Sequence, residues 1–524
     1  MSRAEWLVKR SSTSGVVSAT IMVFVLVLAA SFVITHGMSD LGATSATRLA
    51  DLFGGDAGIF LSIALGCAYA SLIGFASFGK PVYAVSLFLV LLPVSFLFSR
   101  TFELKIFESR YGDPILVSIV TVQLVLMAAI FRLRGIPLTK FNHRGVRKCI
   151  AVLWAFAVLA SIVQVANHQL SVALALSAVS IWEFVLLLYV LSAAVDSIHD
   201  IRLLIIAMSG SAFFSVFLTL ARFGMVGMFG SYNDAYYGTR FFTVANSPGG
   251  FAGYGAVLFT LLLYIVRSTK DWHQSLLWIS AAVVLLALVV LTQTRGALIA
   301  LSLVGLLFVW KSQRRFLFSA ICGLGVLAVI IGAPLVAALV ERPIATDIYS
   351  SDNAWSRILL WQISLPVTLE NSLFGIGNAP LFNVPGNPIQ VNSHSLLLYL
   401  VQDFGGLAAL AFLVLIGHTL IALYKESRAT DVNEDYSTML PYFFVALLVW
   451  FAFSMTSSLS ISMHTAKGNH FEETMVFYSV LYLSWFGVEL SYEKRKQLIV
   501  CSPRGGQTPV RFIMPSRPGG SNHI

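Results

Sequence analysis

Two arginines and a histidine, each set where an apolar run begins or ends, are the residues of this chain best suited to chemistry. Arg295 lies in TQTRGALIAL, between two apolar runs with almost no loop. A guanidinium cannot shed its charge, and its planar fork is best matched to a bidentate bond with a phosphate. Arg240 lies in YYGTRFFTVANSPGGFAGY. There Asn246, Ser247, Pro248, Gly249 and Gly250 form a turn into the next apolar run, and its exposed backbone N–H groups suit an anion. His394, in VNSHSLLLYLVQDFGG, can exchange a proton near neutral pH and is suited to deprotonating an acceptor hydroxyl. Each has a plainer reading: Arg295 as an interfacial arginine capping a helix, Arg240 as a solvated loop charge, His394 as a helix-start histidine making an ordinary hydrogen bond.

Two carboxylates fall inside apolar runs. Asp403 follows His394 by about two and a half helical turns, and Glu183 lies in SIWEFVLLLY. An acid within a span faces protein or a cavity; Glu183 is read as pairing with a neighbouring helix. The four cysteines show no CxxC and no metal spacing, and His464 and His470 lack an obvious third ligand, so neither metal nor cofactor is expected.

The elements that must position these groups are membrane helices. Of the 524 residues, 57% are hydrophobic and 11% charged, and the mean hydropathy is +0.82. That excludes a soluble globular enzyme, and the apolar stretches are helix-length rather than the short alternating segments of a barrel. About 14 spans are predicted, at 16–36, 58–78, 81–98, 114–131, 149–166, 171–195, 203–222, 249–266, 276–293, 297–310, 316–340, 395–422, 438–460 and 474–491. The fold class is therefore all-α, polytopic, with 12 spans as the lower alternative. The first run is read as a retained helix rather than a cleaved signal.

Alternating the spans from a cytoplasmic N-terminus puts 24 of the 34 Lys and Arg residues inside and 10 outside, which follows the positive-inside rule. Both termini are then cytoplasmic. The excess charge of +9 reports this sidedness, not a nucleic-acid partner. The outer face receives 223–248, the turn at 292–296 and a long loop at 341–394. Within that loop, Ser356 to Leu369 suits an amphipathic helix on the membrane surface. Four regions result: N-terminal helices at 1–222, a membrane region with the outer loops at 223–422, C-terminal helices at 423–491, and a disordered cytoplasmic tail at 492–524.

Taken in order, TRGALIAL, SRILLWQISLPVTLENSLFGIGNAPLF and NSHSLLLYLVQDFGGLAAL resemble the O-antigen ligase and polysaccharide polymerase family of bacterial membrane glycosyltransferases. The matching positions are Arg295 with Gly296, Ser356 with Arg357, Gly375 with Gly377, His394, and Asp403 with Gly405; upstream, Arg240 and Asn246 to Pro248 resemble the family's arginine and following turn. Ser395 and Asp403 stand where the family often has Asn and Glu. The likeness runs from about 235 to 415.

The resemblance implies a GT-C-like enzyme at the periplasmic face of the inner membrane, inverting and metal-independent. Its donor would be an undecaprenyl-diphosphate-linked oligosaccharide, and its acceptor another lipid-linked repeat unit or lipid A-core. Arg240, Arg295 and His394 would be the catalytic groups. Arg357, Asp403, Asn246, Gly375 and Gly377 would bind substrate. The span number leans towards a polymerase; a ligase is the alternative. A transporter using Glu183 and Asp403 is the alternative of another class, disfavoured because the arginines gather at one face and no paired interrupted spans appear.

Overall fold

The computed structural model describes residues 55–94, 119–136, 172–227, 241–243, 248–311, 395–428, 434–455 and 471–501, with shorter pieces at 151–158, 362–375 and 464–469. Helices dominate: α1 (Gly55–Ala76), α2 (Pro81–Leu91, continued by a 3-10 turn at Leu92–Val94), α3 (Ile119–Leu133), α4 (Val172–Ala194), α5 (Ile198–Gly227), α6 (Pro248–Ser268), α7 (Trp272–Leu291) and α8 (Arg295–Lys311). Then follow α9 (Leu396–Phe404), α10 (Gly406–Ser427), α11 (Glu434–Ser454) and α12 (Phe471–Cys501). Two two-residue strands, His464–Thr465 and Gly468–Asn469, form a small antiparallel ladder before α12. The chain is an all-α integral membrane protein, and five of the described helices are long and apolar enough to cross a bilayer. The predicted spans at 16–36 and 316–340, and most of 149–166, lie outside the described residues.

Where the helices begin differs from the hydropathy expectation because polar caps, not apolar content, set helix ends. α5 starts at Ile198, ahead of the predicted 203. Ser197 and Asp200 form a reciprocal cap: the Ser197 hydroxyl donates to Asp200 Oδ2 at 2.8 Å, and the Asp200 amide donates back to Ser197 Oγ at 3.3 Å. α7 likewise starts at Trp272 because Asp271 accepts from the His273 amide. At the other end of the chain α12 runs to Cys501, ten residues past the expected end of the span at 491. The extension is tied down by Arg495, whose guanidinium donates to Glu426 Oε1 at 2.8 Å, and by Ser491, which donates to Glu426 Oε2.

The largest departure concerns 395–422, predicted as one span. It is two helices, broken at Gly405, whose φ of 84° and ψ of 163° fall in a region open only to glycine. The nine residues of α9 rise only about 13 Å, so the crossing belongs to α10. Asp403 therefore ends a short helix ahead of the span instead of lying within one.

α6 is the hub. It packs against α5, α7, α8, α11 and α12 and is buried along most of its length, whereas α7 touches little besides α6 and turns its remaining surface to lipid. Buried hydroxyls on these helices are satisfied locally: Ser209, Thr219, Thr260, Thr419, Ser454 and Ser484 each donate to the carbonyl four residues earlier, which removes the cost of an unpaired polar group in hydrocarbon. Glu183, fully buried on α4, accepts from the Thr121 hydroxyl of α3, the interhelical pairing expected for it.

Contacts between helix ends sort the molecule into two faces. At one, Arg134 after α3 donates to the Ser77 and Gly79 carbonyls of the α1–α2 turn, and Arg202 at the start of α5 bonds the Tyr264 hydroxyl near the end of α6 and Asp435 at the start of α11. The Glu426–Arg495 pair lies at this face too. The opposite face gathers the starts of α6, α8 and α10 and the end of α7.

Candidate functional site

Arg295 is placed by a reversal of three residues. α7 closes at Leu291, and the Thr292 amide reaches back to the Leu288 and Val289 carbonyls. Gln293 then takes a φ of 52°, the one left-handed non-glycine position among the described residues. The Thr294 carbonyl accepts from the Ala297 and Leu298 amides, opening α8 with Arg295 as its first residue. A web of hydroxyls holds the turn: Thr292 Oγ1 donates to the Val289 carbonyl at 2.6 Å and lies 3.1 Å from Thr294 Oγ1, and the Thr294 amide points at Thr292 Oγ1. Gln293 is thus held in a conformation that costs on the order of 1–3 kcal/mol.

Two contacts bring the Arg240 segment to the same place. The Phe241 amide donates to the Leu291 carbonyl at 3.1 Å, and the Phe241 ring packs edge-on against Phe251 of α6, with centroids 5.2 Å apart. Phe241 and Phe242 are both buried, so the residue after Arg240 is pinned to the last residue of α7. Across the turn, Thr294 Oγ1 lies 3.4 Å from the carbonyl of Pro248, which opens α6. The N-termini of α6 and α8 therefore stand side by side at one face, each presenting unpaired amides and the positive end of its dipole.

That setting makes the position of Arg295 informative. A cation in the first turn of a helix opposes the dipole, a placement that costs roughly 0.3–1 kcal/mol unless an anion is shared by both. A turn built with a strained Gln293 to put an arginine there is poor design for stability alone and apt design for holding an anion.

The acceptor-side motif is organised by the break at Gly405. Ser395 is the extended N-cap of α9, immediately after His394 in the sequence. Leu396, Tyr399, Leu400 and Phe404 bury one side of α9. The long outer loop touches down here: the Ser372 carbonyl accepts from the Gly406 amide at 2.5 Å. Nearby, residues 362, 365–366 and 368–370 are helical, Thr368 is buried, and Leu365, Leu369 and Leu373 are exposed. An outward apolar side is what a helix lying on the membrane surface requires. Gly375 is buried and takes a φ of 72°, so the first glycine of its Gly-x-Gly is a conformational requirement.

Of the residues singled out in the sequence, Arg240, Asn246, Arg357, Gly377 and His394 lie outside the described residues. For Arg295 and Asp403 the backbone is described and the side chain is not. Sequence reasoning did not find Phe241, Thr292, Gln293, Thr294, Ser372 or Gly406. The Thr-Gln-Thr and Gly-Gly groupings were the available signals, since short hydroxyl residues and glycine pairs mark turns. Among the described residues no group of three or more His, Cys, Asp and Glu side chains is placed to hold a metal.

Residues 280–413 match the family model of the O-antigen ligase domain. The matched stretch runs from α7 through the Gln293 turn, α8, the outer loop and α9 into α10, so the likeness read from the three motifs is borne out there. The Arg240 segment precedes it. A comparison with curated proteins finds no match.

Proposed function

We propose that the chain is an inverting, metal-independent glycosyltransferase at the periplasmic face of the bacterial inner membrane, with both termini cytoplasmic. It transfers a glycan from undecaprenyl diphosphate to a sugar hydroxyl. In the step, the acceptor oxygen bonds to the anomeric carbon from the face opposite the diphosphate, the glycosidic C–O bond breaks, and its electron pair leaves with the diphosphate. The hydroxyl proton passes to the His394 imidazole. Arg240 and Arg295 stabilise the departing charge in a partly dehydrated setting, where such contacts strengthen. Arg357, Asp403, Asn246, Gly375 and Gly377 shape the substrate site, Arg357 binding phosphate or fixing the long loop.

The observation that carries this reading is the Phe241–Leu291 hydrogen bond, which ties the residue after Arg240 to a point four residues before Arg295. It supports a shared anion site for two arginines far apart in sequence. Diphosphate is already a good leaving group, so charge stabilisation outranks the general base, whose usual contribution is about 10²- to 10⁴-fold.

Ligase and polymerase share this donor chemistry and differ in acceptor. The expected number of spans favours chain extension onto another lipid-linked unit; the ligase description of the matching family favours transfer to lipid A-core. Reconstitution with an undecaprenyl-diphosphate oligosaccharide, with and without lipid A-core, separates them by product: longer lipid-linked glycans for a polymerase, glycan-bearing core for a ligase. Solute uptake with no bond broken would refute both. Arg295→Ala should abolish transfer and Arg295→Lys should retain little, because an ammonium cannot reproduce the fork. Full activity in either folded variant removes Arg295 from the mechanism.

A further inference from the structure

The Gly405–Gly406 pair does two separate jobs, and the second points beyond the break between α9 and α10. Gly405 supplies the glycine-only torsion. As the N-cap of α10 it has no side chain to satisfy the amides of the first turn, which on an ordinary helix start a Ser, Thr or Asp would do. The Gly406 amide is one of those orphans, and the Ser372 carbonyl takes it at 2.5 Å. The approach is so close that a Cβ on Gly406 would stand 2.8 Å from the Ser372 oxygen. That neighbour is backbone, so it cannot rotate away as a side chain would. The long outer loop thus caps the span that follows it, and a lone hydrogen atom at position 406 is the condition for the contact.

We propose that Gly406 is a positioning residue, latching the outer loop at Ser372 onto the α9–α10 joint so that the loop and α9 are held as one unit. This rests on the transferase reading, since its consequence for activity is the placement of the acceptor-side residues. α9 begins one residue after His394, and the latch fixes the far end of that same short helix. Thr368, buried at 3% exposure among exposed neighbours, and Gly375, buried with its left-handed φ, show that the loop is seated on both sides of Ser372. A loop held at one carbonyl between two buried points has little freedom to shift α9. Gly406 does not touch the reacting atoms in this scheme; it acts through α9.

The test uses the full-length protein in nanodiscs, with hydrogen exchange read by peptide and transfer kinetics measured on the same preparations. In the wild type, the peptide carrying the Gly406 amide and the peptide spanning 365–375 should both be protected; a 365–375 peptide that exchanges as fast as an unstructured chain overturns the latch with no variant needed. Gly406→Ala should lose protection at 365–375 while the peptides of α6, α7 and α11 keep theirs. Its kcat should fall on the order of 100-fold, the scale of a displacement of about 1 Å at the reacting groups, with the KM for the lipid-linked donor unchanged. Gly417→Ala, on the same helix with open space where its Cβ would go, should match the wild type in both readouts. A Gly406→Ala protein with wild-type exchange and turnover overturns the proposal, as does one whose donor KM rises with kcat unchanged. If the wild type transfers no glycan at all, the transferase reading fails while the exchange measurement still decides whether the latch exists.

Discussion

Thr294→Val is the sharpest probe of the claim that the α7–α8 turn exists to place Arg295. Valine keeps the shape and removes the hydroxyl. Two contacts are lost: the one with Thr292 Oγ1 at 3.1 Å and the long one with the Pro248 carbonyl at 3.4 Å. The Thr294 carbonyl still accepts from Ala297 and Leu298, and Thr292 still donates to Val289, so both helices remain capped. At about 0.5–1.5 kcal/mol for a net hydrogen bond, and less for the 3.4 Å contact, the stability loss should be roughly 1 kcal/mol. Activity should suffer more. The Pro248 contact joins the start of α6 to the residue just before Arg295, and a misplacement of about 1 Å at a reacting group costs on the order of 100-fold. Tenfold in rate is about 1.4 kcal/mol, so a loss of more than tenfold exceeds what the lost contacts contribute to folding. Thermal unfolding and transfer of a lipid-linked glycan, measured in the same vesicles, separate the two effects. Thr419→Val, which deletes a hydroxyl bonded only within its own helix turn, supplies the comparison. A Thr294→Val enzyme with wild-type turnover, or one whose activity falls no further than that of Thr419→Val, would show that the turn merely connects two helices.

Gln293→Gly should be neutral or stabilise by a few tenths of a kcal/mol, whereas Gln293→Ile, β-branched at a left-handed position, should cost about 1–2 kcal/mol in thermal unfolding. Glu426→Ala strands Arg495 and should cost roughly 1–3 kcal/mol while leaving the donor KM untouched, because the pair ties α10 to α12 at the face opposite the proposed site. Gly405→Ala should destabilise by about 1–3 kcal/mol through its torsion alone. His394→Ala should lower turnover by about 10²- to 10⁴-fold with donor binding, read by titration of the lipid-linked oligosaccharide, retained.

Apolar periodicity carried most of the architecture, because in hydrocarbon a helix is the cheapest way to satisfy a backbone. It found α6, α7, α8 and α11 to within a few residues. It failed where local chemistry outweighs hydropathy. The run from Leu396 to Ala422 is apolar throughout, so nothing in its hydropathy marks the break; the break is a torsion at Gly405, and only the Gly-Gly doublet hinted at it. Ser197 and Asp200 start α5 a turn early through a cap that apolar content does not see. The site was legible as a set of residue types and illegible as a shape. Guanidinium chemistry and the family motifs marked Arg240 and Arg295, but that their segments meet depends on a backbone hydrogen bond from Phe241, which no side-chain pattern encodes.

The same distinction explains why the two arginines are convincing together and not singly. An arginine at the boundary of one span has an ordinary use, its stem in the apolar layer and its head in water. An arginine that opens a helix, after a strained turn, beside the start of a second helix and within a few residues of a second arginine segment, meets repulsion from every neighbour that carries a partial charge. Repulsive arrangements of this kind persist when a ligand of opposite charge relieves them, and the relief scales with that ligand's charge. A diphosphate carries more than a carboxylate, and it gains charge as the glycosidic bond breaks, so the site is more complementary to the departing group than to the intact donor. That is the condition for lowering a barrier rather than for tight binding alone. It requires that weakening the charge, as in Arg295→Lys, reduce turnover more than it reduces affinity for the intact lipid-linked glycan.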